Sequence, residues 1–180
     1  MNPAEPPGYR RLLRENAHLR ALWSGQLISQ VGDVFSSVAV VALLIERTGG
    51  AAGQAVAWQT IARHLPAFLL APAAGAAADR FDRRRVMIAA DLVRALLALG
   101  YLVVLAGGPV WVLYLVSAGL SGVSIFFNTA RAALLPVLAT RAQLMVANAL
   151  SAATFGTTLA VGSLAGGVVS ATVGRAPAFL

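Results

Sequence analysis

The chain has 180 residues, of which 58% are hydrophobic and 12% charged, with a formal net charge of +7. Soluble proteins carry about 25% charged residues, so this balance points to a membrane-embedded chain. All the positive charge is arginine, gathered in short stretches between long apolar runs, which argues against a nucleic-acid partner; the absence of cysteine excludes disulfides and thiol chemistry.

Residues 1–8 are Pro-rich and expected to be disordered. In Tyr9–Arg20, Arg10, Arg11, Arg14 and Arg20 stand among Tyr9, Leu12, Leu13 and Leu19. Residues 1–20 are expected to form a cytoplasmic segment lying at the membrane interface. The apolar run that follows is too long for a secretory leader, whose apolar stretch is about 7–15 residues.

The first span is set at Leu22–Ile45, roughly 36 Å at about 1.5 Å per residue. Asp33 lies at its middle. An acid there costs on the order of 2.5–3.5 kcal/mol on insertion scales, so it should face a cavity or the bundle interior. Gln26, Ser29, Gln30, Asp33 and Ser37 recur at spacings of three and four and make one stripe. The stripe either lines a cavity or glues helices together by hydrogen bonds. Glu46–Gly53 is an external turn, and the second span is Val56–Ala78. It carries Arg63, His64, Pro66 and Pro72. Prolines in a spanning helix kink it and free carbonyls, which neighbouring helices or water must satisfy.

Gly75–Arg85 follows, with six charges in the seven residues Asp79–Arg85. Between two spans this is a short charged hairpin, and its arginines mark the cytoplasmic side. Asp79 ends a helix, where the macrodipole disfavours a carboxylate by roughly 0.3–1 kcal/mol, so a partner is expected. The third span is Val86–Ala106, with Asp91 and Arg94 on one face; Asp79, Arg83, Asp91 and Arg94 are expected to form one polar network. Gly107, Gly108 and Pro109 make a tight external turn, and the fourth span is Val110–Asn128. Ala130–Gln143 is taken as a linker and Ala147–Val173 as the fifth span. Gly162 and Gly166 have the spacing of close helix packing, and Gly167 follows. Residues 21–175 thus form a five-helix bundle, and 176–180 begin a sixth helix that stops.

With the N-terminus inside, Arg10, Arg11, Arg14, Arg20, Arg80, Arg83, Arg84, Arg85, Arg131 and Arg141 are cytoplasmic, and Arg47 and Arg175 are outside. That asymmetry is a positive-inside signal.

The pattern Gly75-x-x-x-Asp79-Arg80-x-x-Arg83-Arg84-Arg85 resembles the loop signature of the major facilitator superfamily. Asp82, together with Phe126–Asn128, Ala130–Arg131 and Ala133–Pro136, is similar to its drug and macrolide exporter branch. Gly162, Gly166 and Gly167 resemble part of the exporter motif in helix five, with Ser163 and Thr158 replacing its proline and first glycine. The resemblance implies an all-α integral membrane fold of about twelve helices, with the substrate site between two halves. This chain would supply the first five and would be a fragment that depends on the missing C-terminal half. The implied function is proton-driven export of small apolar compounds from a bacterial-type plasma membrane, with protons, substrate and the lipid bilayer as partners and no cofactor. Asp33 would be the intramembrane protonation site, and Gln26, Gln30, Ser37 and Asn128 would line the cavity. Gly75, Asp79, Arg80, Arg83, Asp91 and Arg94 would form the cytoplasmic gate. Family members carry a helix-four arginine tied to proton coupling, and none lies between Trp111 and Thr129. No catalytic triad, metal-ligand cluster or phosphate loop is apparent in the sequence.

Overall fold

The computed structural model describes residues 8–172; the expected sixth-helix start at 176–180, Arg175 and most of the Pro-rich segment lie outside the described residues. Every regular element among the described residues is helical: α1 Tyr9–Glu15, α2 Ala17–Thr48, a 3-10 turn Gly49–Ala51, α3 Ala52–Arg80, α4 Arg83–Ala98, α5 Gly100–Leu105, α6 Trp111–Leu138 and α7 Arg141–Thr172. Helices are the only open-ended structure that satisfies its own backbone inside lipid.

Among the described residues, four helical stretches are long and apolar enough to cross a membrane: Ala17–Arg80, Arg83–Leu105, Trp111–Leu138 and Arg141–Gly162. The first is 64 residues long. As a single rod it would measure about 96 Å, against a hydrocarbon core of about 30 Å. The 3-10 turn, with Gly49 at φ 51°, divides it into α2 and α3, so it holds two of the five expected spans. That φ suits glycine, which has no Cβ to clash.

The helices outrun the hydropathy. α2 begins at Ala17 rather than Leu22, α3 runs Ala52–Arg80 and α7 begins at Arg141 rather than Ala147. The physical reason is that a helix ends where its terminal backbone groups find partners, and apolarity can fade well before that. At the start of α7, Thr140 N–H donates to Gln143 Oε1 at 3.1 Å and Gln143 N–H donates to Thr140 Oγ1 at 3.4 Å. This reciprocal pair is a capping box. The largest correction is α6, which continues to Leu138 and makes a helix of much of the stretch expected as a linker. Arg131 therefore sits inside a helix rather than in a loop, and leaves the tally of loop arginines. Pro136 is accommodated in the final turn.

The third expected span is two helices. α4 ends at Ala98 and α5 starts at Gly100, where an added Cβ would lie 2.6 Å from Val116 Cγ2. Gly107, at φ 98°, then terminates α5: its N–H bonds Val104 O at 3.1 Å, and Gly108 N–H bonds Val103 O at 2.9 Å. These are the two hydrogen bonds of a Schellman ending.

The described residues form two compact units, 8–42 with 135–172 and 43–134. In the first, α1 docks through Leu12, which clusters with Leu19 at the start of α2 and with Val146 and Ala147 of α7; Leu12 and Leu19 are 0% and 3% exposed. Leu135, Leu138 and Ala139 complete that cluster. The apolar residues expected to face the membrane interface are thus partly consumed inside the protein. Asn16 makes the corner: its N–H closes α1 on Leu12 O, and its Oδ1 accepts from Leu19 N–H at 3.1 Å to cap α2. Its Nδ2 donates to Leu138 O at 2.9 Å. In the second unit α3, α5 and α6 share a buried polar cluster, described below.

Candidate functional site

The polar stripe of α2 is built against α7. Trp23 Nε1 donates to Thr154 Oγ1 at 2.9 Å, and Ser151 Oγ donates to Gln26 Oε1 at 3.3 Å. Trp23 and Gln26 are three residues apart, as are Ser151 and Thr154, so the two bonds are successive rungs between the helices. Thr154 Oγ1 also donates to Leu150 O at 2.8 Å. Further along, Gly162 lies against Val34 so closely that a Cβ would overlap Val34 Cγ1. The absence of a side chain there lets α7 approach α2, as small residues do in membrane helix pairs.

The candidate cavity residues are distributed unevenly along this stripe. Gln26 is engaged by α7, which is the helix-gluing role. Gln30 Oε1 is buried without a hydrogen-bond partner among the described residues. Asp33 follows it and is exposed, as is Asn128 on α6. Ser37 Oγ turns back onto its own helix, donating to Val34 O at 2.7 Å. Gly166 and Gly167 lie within α7, and their expected packing role lies outside the described residues.

Among the described residues, Asp79, Arg83, Asp91 and Arg94 of the charged hairpin are not joined in one network. Asp82 caps α4, its Oδ1 accepting from Arg85 N–H at 2.9 Å. Arg94 and Asp91 pair at 3.5 Å, with side-chain exposures of 14% and 57%. Asp79, in the last turn of α3, makes no ion pair or side-chain hydrogen bond with another described residue, and Arg83 makes none either. The expected single network of Asp79, Arg83, Asp91 and Arg94 therefore resolves into a cap and a local pair. The reason is geometric: an Asp just before a helix reaches its first-turn amides, and residues three apart on a helix reach each other. The Asp immediately preceding an apolar-periodic stretch was the sequence signal for that cap. Gly75 has nothing within 4 Å of an added Cβ.

Sequence reasoning missed the polar cluster of the second unit. Gln59 Nε2 donates to Ser117 Oγ at 2.6 Å, and Tyr101 OH and Ser117 Oγ lie 3.0 Å apart. Gln59 is only 7% exposed and Ser117 5%. Arg47 reaches the same unit's α5, donating to Val104 O at 3.0 Å. Gln59 follows the apolar residues 55–58 within the second span, and an amide at that depth was the available signal. Ser117 is the shared partner, so Ser117→Ala is expected to cost about 1–3 kcal/mol, chiefly by stranding the buried Gln59 amide. Gln59→Leu should cost less, because Ser117 and Tyr101 keep each other. Thermal unfolding of the purified variants in detergent checks the order; equal losses would reject Ser117 as the hub.

Residues 13–180 match the protein family described as transmembrane secretion effector, a major facilitator superfamily group. Macrolide efflux protein A of Streptococcus pyogenes is 32% identical over 127 residues, covering 68% of this chain and 30% of that protein. An uncharacterized transporter of the same superfamily from Mycobacterium tuberculosis is 32% identical over 155 residues, 85% of this chain and 35% of its own length. Another from Bacillus subtilis is 30% identical over 141 residues, 78% of this chain and 33% of its own. The chain spans about a third of the length of these curated relatives. No solved structure matches it. By that match, and by an all-helical architecture with membrane-length helices, the chain belongs to the transmembrane secretion effector family of major facilitator superfamily transporters.

Proposed function

We propose that this chain forms the front of an exporter that moves small, largely apolar compounds outward by alternating access, driven by entering protons, with its N-terminus in the cytoplasm of a bacterial-type cell. The observation that carries this reading is Asp33, an acid in the middle of the 32-residue α2 with the orphan Gln30 carbonyl one turn before it. An intramembrane acid is costly and is retained where a proton or a polar group uses it. The similarity to a macrolide efflux protein supports a drug-like cargo. Gln30, Ser37 and Asn128 would contribute to the cavity, which the remaining helices of the transporter would complete. Asp79, unpaired among the described residues, would find its gate partner in those helices, with Gly75, Arg80 and Arg83 beside it and Asp91–Arg94 in support.

Asp33→Asn, in the transporter that carries this chain, should reduce drug resistance of a sensitive host to the level without transporter while the amount in the membrane stays unchanged. Asp33→Glu should keep part of it. Normal resistance in Asp33→Asn would sink the coupling role. A second reading, a non-transporting membrane scaffold, draws on the Trp23–Thr154 and Gln26–Ser151 rungs, in which polar groups only join helices. It predicts that Asp33→Asn changes neither function nor stability.

A further inference from the structure

The short helix α1 has two faces with different fates. Leu12 is fully buried against α7 and the end of α6. At about 100° per residue, Arg10 and Arg14 lie about 160° and 200° around the helix from Leu12, so they crown the opposite, outward face. Both are exposed. Neither forms an ion pair or side-chain hydrogen bond with another described residue. Arg11 differs: its Nε bonds Glu15 Oε1 at 2.6 Å, so its charge is locally balanced. Arg20, whose Nη1 donates to Leu13 O at 3.4 Å, and Arg141 are also exposed at the end of the unit where α1, the start of α2 and the start of α7 gather. Asn16 holds the orientation by bonding Leu138 O and capping α2.

Two like charges four apart on a helix repel by a few tenths of a kcal/mol, and no described residue pairs with Arg10 or Arg14. If α2 and α7 span the bilayer, this end lies at a membrane surface. A free amphipathic helix would bury its leucines in the acyl boundary. Here Leu12 is already buried in protein and leaves α1 only the half-buried Leu13 and exposed Tyr9 as apolar side chains to insert. On the face opposite Leu12, what remains outward is the charge of Arg10 and Arg14. We infer that the docked α1 presents Arg10 and Arg14 as a binding patch for anionic phospholipid headgroups, held by electrostatics rather than by insertion.

The test uses the purified chain in phosphatidylcholine bilayers containing either spin-labelled phosphatidylglycerol or spin-labelled phosphatidylcholine, and compares the motionally restricted fractions. The intact chain is expected to prefer phosphatidylglycerol. Arg10→Gln and Arg14→Gln should each lower that preference by up to about fivefold, the equivalent of about 1 kcal/mol per arginine near an anionic surface. Arg11→Gln, which removes a balanced charge, should change it much less. The preference should fade near 1 M salt, where the Debye length is about 3 Å. A preference that survives high salt would show insertion instead and overturn the inference. So would equal losses for Arg11→Gln and Arg10→Gln, which would report net charge rather than a patch. Loss of the preference on adding inorganic phosphate at constant ionic strength would assign the patch to a soluble anion, and would also overturn it.

Discussion

Gly162→Val is expected to unseat α7 from α2 and to lower the stability of the purified protein by at least about 1–3 kcal/mol, the usual cost of overpacking a close contact. The reason is local. A Cβ at Gly162 would overlap Val34 Cγ1, and the contact comes from a β-branched side chain whose χ1 has little freedom to move away. Gly162→Ala should already be harmful, although alanine is the better helix former by about 1 kcal/mol. Gly156, in the same helix, has nothing within 4 Å of an added Cβ, so Gly156→Ala should be neutral or stabilising. The decisive variant is the pair Gly162→Ala with Val34→Ala, which restores the space and should recover most of the loss. Melting temperatures in detergent for this double-mutant cycle give the coupling directly. An additive double mutant would mean that the two residues do not meet.

Leu12→Ala should cost about 2–5 kcal/mol, the range for deleting a fully buried leucine. The loss should fall on the docking of α1 rather than on the spanning helices, since Leu12 joins α1 to the cluster formed by the starts of α2 and α7 and the end of α6. Amide exchange should therefore accelerate across Tyr9–Asn16 while the amides of α3 stay protected. Leu13, half-buried on the same helix, is the control: Leu13→Ala should have a much smaller effect. Equal exchange in both variants would contradict the docked arrangement. Undocking would also free Asn16 from Leu138 O, so loss of the cap at the start of α2 is expected to accompany it.

Much of the architecture follows from composition and hydropathy. Long apolar runs in a chain with 12% charge must become helices, because lipid offers no partner to an open backbone. The charged stretch Asp79–Arg85 had to be a hairpin, since six charges cannot lie in hydrocarbon, and it was also enough to suggest the family. The glycines after Leu105 required a tight ending, which Gly107 and Gly108 provide. Helix ends were less legible, because capping decides them and hydropathy does not register it. Thr140 with Gln143 set the start of α7, and the continuation of α6 past Asn128 took Arg131 out of the loop.

The sequence by itself determined that the chain is a set of membrane-spanning helices, where the main hairpin lies, and that α2 carries a polar stripe around Asp33. Periodicity places residues on a common face, and that is a property of the local helix alone. Only the tertiary structure decided what each face meets. It joined Gln26 to Ser151 and Trp23 to Thr154, made Gly162 rather than Gly156 a close approach to α2, and turned Leu12 inward so that Arg10 and Arg14 face out. It also gathered Gln59, Ser117 and Tyr101, which are far apart along the chain. Such contacts depend on the rotation of each helix about its own axis, which is set by the packing of its neighbours and is not encoded in any one segment.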